Sequence, residues 1–274
     1  MGIIRKGHKE EAQRMKYLRY EKDGRASYGL LQGDGSVREI AGDLLGEFEP
    51  TGRELPLGSV KLLAPVFPPN VIAIGLNYRD HAAESRAALP QRPLIFLKAT
   101  SSVAAHGEPI RLPAEAPGEV DYEAELAVVI KKTARAVEAA DAGEYILGYA
   151  CGNDVSARDC QMRLDSQWAR AKSFDTFCPI GPWIETELDP GRLAIRSKVN
   201  GKIMQDGSTA DMVFSVSELV SYCSKNMTLL PGTVIMTGTP NGVGFARKPP
   251  VFLRAGDVVE IEIEGIGALR NPVI

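Results

Sequence analysis

The order of apolar and polar residues changes period along the chain, and each change marks an element. Val258–Ile263 alternates apolar and acidic residues with period two, as a half-exposed strand does. Val216, Leu219, Val220 and Cys223 recur at i, i+3, i+4 and i+7, which predicts an amphipathic helix over Ser215–Lys225. Short apolar runs at Val71–Ile74, Leu94–Leu97, Tyr149–Val155 and Thr233–Met236 read as strands, as does a long segment from Glu119 to Ile130. Val137–Tyr145 and Ser156–Asp165 read as helices, and Asn77 as the cap of a short helix reaching about Ser85. Ile195–Val199 and Lys202–Met204 flank Asn200-Gly201, a preferred hairpin turn pair.

Upstream, Lys16–Tyr20 and Ser27–Leu31 flank Asp23-Gly24, and Gly33-Asp34-Gly35 supplies a second turn, so residues 15–66 read as a small β-rich domain. The proline-rich stretch Ala64–Asn70 marks its boundary with a larger domain, 67–274. The fourteen residues before Met15 read as an extension, without the apolar core of a secretory signal. No β-α-β rhythm runs through the larger domain, which disfavours a doubly wound sheet or a (β/α)8 barrel. The fold class expected is α+β with an antiparallel or mixed sheet.

Composition narrows the function classes. The 274 residues are 44% hydrophobic and 24% charged with a formal charge of −3, which gives no reason to expect nucleic acid. No apolar run reaches the roughly 18 residues of a membrane span. The four cysteines lack metal-site or redox spacing and read as reduced, mostly buried thiols in a cytoplasmic protein.

The candidate chemistry is acidic. On a strand, Glu123 and Glu125 share a face, continued by Ala127 and Val129. At ~6 Å and an effective dielectric of ~20, two such carboxylates repel by about 3 kcal/mol. A bound cation reverses that sign, and oxygen-only ligands suit Mg²⁺, Mn²⁺ or Ca²⁺ better than zinc. Two solvated glutamates on an exposed strand are the alternative. Asp154, at the end of another apolar strand, is a third acid in a similar setting, or else a helix cap. His81 and Glu84 are three apart and share a helix face, either as a carboxylate orienting an imidazole general base or as a partly exposed helical pair. Lys98, Arg158 and Lys172 are candidate anion binders, with ordinary surface cations as the alternative. Thr237, in Thr237-Gly238-Thr239-Pro240, is placed to donate its hydroxyl to a substrate carboxylate. Asn241-Gly242-Val243-Gly244 lacks the third glycine of a dinucleotide fingerprint.

Six segments, Gly75–Glu84, Asp121–Ile130, Gly152–Asp159, Ala171–Asp175, Val199-Asn200-Gly201 and Met236–Gly244, resemble in content and order the fumarylacetoacetate hydrolase family, in its compact bacterial and mitochondrial branch. The resemblance implies a mixed β-sheet roll, and a homodimer. It implies Mg²⁺ or Mn²⁺ held by Glu123, Glu125 and Asp154, and a His81–Glu84 base on a helix that closes as a lid. It further implies Lys172 near the metal to stabilise an enolate, and Gln161 facing the substrate, a small 2-oxo or 1,3-diketo acid. Acylpyruvate hydrolysis is the favoured activity, because the dyad suits water activation. Oxaloacetate decarboxylation and hydroxyheptadienedioate isomerisation share the enolate and remain alternatives, as does a non-catalytic metal-binding or small-molecule-binding protein.

Overall fold

The computed structural model describes residues 15–274; the reading of residues 1–14 as an extension lies outside them. The chain builds a large mixed sheet with a four-stranded antiparallel sheet packed against it. The large sheet runs, in spatial order, through Phe48–Pro56, Ser36–Gly42, Arg25–Leu31, Lys16–Lys22, Cys178–Glu185, Ile146–Asn153, Ala124–Ile130, Val234–Met236, Val71–Gly75 and Leu94–Lys98. Val234–Met236 and Val71–Gly75 pair in parallel, the other neighbours on this path antiparallel. The N-terminal strands therefore join the main sheet, through Lys16↔Glu185 and Tyr17↔Ile184, rather than forming a sheet of their own. The smaller sheet orders Lys202–Ser208, Ala194–Val199, Val258–Ile263 and Gly267–Pro272.

The Ala124–Ile130 strand is buried along its whole length. Leu126, Val128 and Ile130 face the core shared with Ile195, Ile261 and Leu269 of the smaller sheet. Ala127 and Val129 face a second core with Val71, Ile180 and Met236. Each fully buried Val, Leu or Ile contributes about 1.5–3 kcal/mol, so this strand anchors whatever its N-terminal end carries.

Both turn pairs behave as their residues require. Asp23-Gly24 and Asn200-Gly201 each have two positive φ values, the backbone that matches strand twist in a tight hairpin. The Ser215 side chain and Glu218 form a reciprocal capping box on helix α3, Val216–Asn226. The four cysteines are buried and free.

Four local expectations are corrected. The segment 119–130 is not one strand: Val120–Asp121 pairs with Ser156–Ala157, and the ladder resumes at Ala124. The break arises because side chains take the backbone donors. Asp121 accepts from Tyr122 N, Asn153 from Glu123 N and Gln205 from Ala124 N. Ser156–Asp165 is not an uninterrupted helix. Its first residues pair as a strand, and Cys160–Leu164 is a wide π turn closed by Asp165 N to Cys160 O. In 137–145, a 3₁₀ segment spans Ala139–Tyr145, and the Val137 N–H before it is taken by the Ser224 hydroxyl. Asn77 does not cap the helix after it. Its buried amide donates to Phe214 O and Thr237 O and accepts from Phe214 N. The helix itself, α1, is Arg79–Glu84.

Candidate active site

The strand break at Tyr122 and Glu123 puts a charged side chain where a continuous strand would have put ladder bonds. Glu123, Glu125 and Asp154 are all buried, and one carboxylate oxygen of each lies within 4.8 Å of the others. Three buried cations meet this acid group. Lys172, on helix α2 (Ala169–Lys172), donates to Glu123 at 2.8 Å and to Asp154 at 2.7 Å. Lys98 donates to the other oxygen of Asp154 and to Val155 O. Arg158 clasps Asp121 through Nε (2.9 Å) and Glu123 through Nη2 (2.7 Å), and its Nη1 donates to Gln161 (2.7 Å).

Four acids thus face three cations, and Glu125 is the one without an ion-pair partner among the described residues. Burial pushes its carboxyl well above the usual carboxylate range, and the Asp154 and Glu123 charges push the same way, opposed by Lys172 and by the Gly238 N–H at 2.8 Å. Burial acts on Glu123 in the same sense, but the Lys172 and Arg158 charges outweigh it and hold that carboxyl low. A buried carboxylate with no cation, beside two others, is what a hard divalent ion satisfies. The donor set, all carboxylate oxygen, fits such an ion at Glu123, Glu125 and Asp154.

The acids form one wall of a cavity of about 220 Å³, a size suited to a small organic acid. His81 lines the same cavity from α1 and is 7% exposed. Its Nδ1 lies 3.4 Å from Glu84 Oε2, and Glu84 accepts the Gly242 N–H on both oxygens, at 2.9 and 3.1 Å. The helix is tied to its surroundings by Arg79, which donates to Asp211 O and Met212 O, and by Asp80 N, which donates to the Asp211 carboxylate. The π turn delivers Gln161 and Met162 to the cavity, and Leu76, Phe96, Trp168 and Phe245 supply apolar walls. A wide turn of this kind re-aims side chains that a regular helix would space differently.

The family model for the fumarylacetoacetate (FAA) hydrolase C-terminal domain matches residues 70–274, and an N-terminal model, Rv2993c-like, matches 15–65. The chain belongs to the fumarylacetoacetate hydrolase family. The oxaloacetate tautomerase fahd2 (mitochondrial) of Xenopus laevis is 48% identical over 225 residues, covering 80% of this chain and 70% of that protein. A crystal structure of 5-carboxymethyl-2-hydroxymuconate delta-isomerase from Mycobacterium smegmatis is 46% identical at a TM-score of 0.86, covering 95% of this chain and 99% of that one. A 2-hydroxyhepta-2,4-diene-1,7-dioate isomerase from Mycobacterium marinum is 44% identical at a TM-score of 0.85, covering 95% and 98%.

Within this fumarylacetoacetate hydrolase family chain, the structure gathers Glu123, Glu125, Asp154, His81, Arg158, Gln161 and Lys172 on one cavity, with Glu84 behind His81. Two of the residues read from sequence as substrate contacts sit elsewhere. The Thr237 side chain is fully buried and donates to Leu126 O at 2.9 Å, so Thr239, two residues on, lines the cavity instead. Lys98 is held by Asp154 and is not on the cavity wall. Sequence reasoning missed Asp121, which accepts from Arg158 and from the Gly244 and Phe245 N–H groups. It also missed Gln205, which ties Ala124 N to Thr239 and Pro240. Asp121 stood in plain view beside the two glutamates; Gln205, on a hairpin strand more than 80 residues from Ala124, carried no local signal. Among the described residues, no helix is long and apolar enough to cross a membrane.

Proposed function

We propose that the protein interconverts the keto and enol forms of a small 2-oxo acid of the oxaloacetate class, with a divalent cation, Mg²⁺ or Mn²⁺, held by Glu123, Glu125 and Asp154. The observation that carries this reading is the placement of an oriented imidazole and a three-carboxylate cluster on the walls of one small cavity. The activities named for relatives sharing 44–48% of their residues with this chain, a tautomerase and isomerases, support the same proton-transfer chemistry.

The bound cation would supply Lewis-acid polarisation of the 2-oxo group. With its proton on Nδ1, facing Glu84, His81 has Nε2 free to take a proton from C3 of the substrate and return it to the 2-oxo oxygen. Lys172 uses two of its three N–H donors on Glu123 and Asp154; the third is left for the enolate oxygen. Gln161, fixed by Arg158, and Thr239, fixed by Gln205, offer neutral polar contacts, and the apolar walls limit water. A cytoplasmic homodimer belongs to the same reading on the strength of the family alone.

Acylpyruvate hydrolysis is the second reading, favoured by the His81–Glu84 pair, which is also the arrangement that activates water. One assay separates the two. The ultraviolet decay of enol-oxaloacetate is followed beside pyruvate release from acetylpyruvate, with Mn²⁺ or EDTA, for wild type and His81→Asn. Mn²⁺-dependent acceleration of the enol decay, reduced about 10²–10⁴-fold in the variant, is expected. Pyruvate release without that acceleration would transfer the assignment to hydrolysis, and neither signal would overturn both.

A further inference from the structure

The partly buried guanidinium of Arg247 is bonded to Gly242, the residue that holds Glu84. Among the described residues, Arg247 makes no ion pair with a carboxylate, and the bonds it makes converge on one place. Its Nε donates to Gly242 O at 3.2 Å and to the Tyr122 hydroxyl at 3.2 Å, and its Nη2 donates to Met204 O. The Tyr122 hydroxyl donates to the same Gly242 carbonyl at 3.2 Å. Gly242 is also pressed against the Lys202–Ser208 strand: with φ at +97°, a Cβ there would stand 2.4 Å from Met204 O. Arg247 therefore staples Gly242 onto that strand through two carbonyls at once. The Gly242 N–H is the group that bridges both oxygens of Glu84.

We propose that Arg247 is a positioning residue for the His81–Glu84 pair. It fixes Gly242, whose N–H sets the Glu84 carboxylate, which in turn holds His81 in the Nδ1–H form with Nε2 open to the cavity. The chain of contacts runs Arg247, Gly242, Glu84, His81, each link a hydrogen bond, and Arg247 itself does not line the cavity. The planar fork suits this task, because it reaches two carbonyls and a phenol from one head group; a lysine ammonium is a point donor on a flexible stem. The inference rests on the proposed role of His81 as the proton-transfer base.

The test reads the imidazole directly, so it does not depend on turnover. The chain has three histidines, and His81 is assigned in the spectrum of ¹⁵N-histidine-labelled protein by its loss in His81→Asn. With Mg²⁺ present, wild type is expected to show the Nδ1–H tautomer at His81. Arg247→Met is expected to shift it toward the tautomer mixture seen in Glu84→Ala, and Arg247→Lys to fall between. In the enol-decay assay, Arg247→Met is expected to lower kcat about tenfold with KM unchanged. Adding it to Glu84→Ala is expected to cost nothing further, since it acts through Glu84. His81 shifts identical to wild type in both Arg247 variants would overturn the proposal even if the enzyme turns over. Moved shifts in a protein that leaves enol-oxaloacetate untouched would uphold the positioning role and overturn the functional reading. Should Arg247→Met fail to fold, Arg247→Lys carries the comparison, and wild-type shifts there would overturn the proposal.

Discussion

Lys172 Nζ lies 2.7 Å from Asp154 Oδ2, and both side chains are almost completely removed from water. The same ammonium reaches Glu123 at 2.8 Å, so one cation satisfies two acids, one just before the Ala124–Ile130 strand and one just after Ile146–Asn153. Burial alone would lower the Lys172 pKa; the Asp154 and Glu123 charges override it and raise it. Replacing Lys172 with Met leaves both acids short of a partner. Breaking a buried pair of this kind costs about 3–5 kcal/mol. Lys172→Met is expected to lose stability on that scale in urea unfolding and to have no measurable turnover.

Glu125 tests the metal assignment. It is the acid without an ion-pair partner among the described residues, and its loss removes a proposed oxygen ligand while relieving repulsion in the free protein. Mn²⁺ at a hundredfold excess over its Kd should stabilise the wild type by about 2.7 kcal/mol, read as a rise in Tm that EDTA reverses. Glu125→Ala should show no such rise. An equal rise in the variant would place the ion elsewhere.

Gly238 joins the acid cluster to the fold. Its N–H donates to Glu125, its φ is +96°, and a Cβ there would stand 2.8 Å from the Asn77 Cβ. Asn77 cannot give way easily, since its amide is bonded to Phe214 and Thr237. Gly238→Ala is expected to cost about 1–3 kcal/mol from overpacking, with added strain from the left-handed backbone. Calorimetric titration of the variant with Mn²⁺ should also show weaker binding, because Glu125 loses its fixed orientation.

The helix that carries His81 has its own pH dependence. Burial, then the hydrogen bond and charge of Asp211, raise the Asp80 carboxyl from 3.8 to about 6. Between those two values the folded protein keeps a proton that the unfolded chain has released. Stability from this pair is therefore full at the acid end and falls as pH rises through the window. Asp211→Asn keeps an oxygen to accept the Asp80 N–H and removes the opposing charge. Urea midpoints at pH 4.5 and 7.5 should favour the variant over wild type more at 7.5 than at 4.5. An unchanged difference would refute the coupling.

Much of this was legible in the sequence, for a reason of range. Alternation in Val258–Ile263 and the i, i+3, i+4, i+7 pattern of α3 depend on which face meets a core, and that periodicity is local. The Asp23-Gly24 and Asn200-Gly201 turns depend on two residues each. Glu125 shares a face with Ala127 and Val129 by the same local rule, whereas Glu123 lies in the break before the strand; the ordered motifs marked the family. What the tertiary structure decided is where distant donors and acceptors meet. Asn77 looks like a helix cap until Phe214 and Thr237 arrive, 137 and 160 residues away. The strand before Ala124 breaks because Asn153 and Gln205 take its backbone N–H groups. Thr237 and Thr239 are indistinguishable by spacing, and only the sheet's pairing decides which one bonds Leu126 and which one lines the cavity. Periodicity reports which side of an element is buried; it carries no information about which polar group will be waiting there, and that is settled by how the two sheets pack.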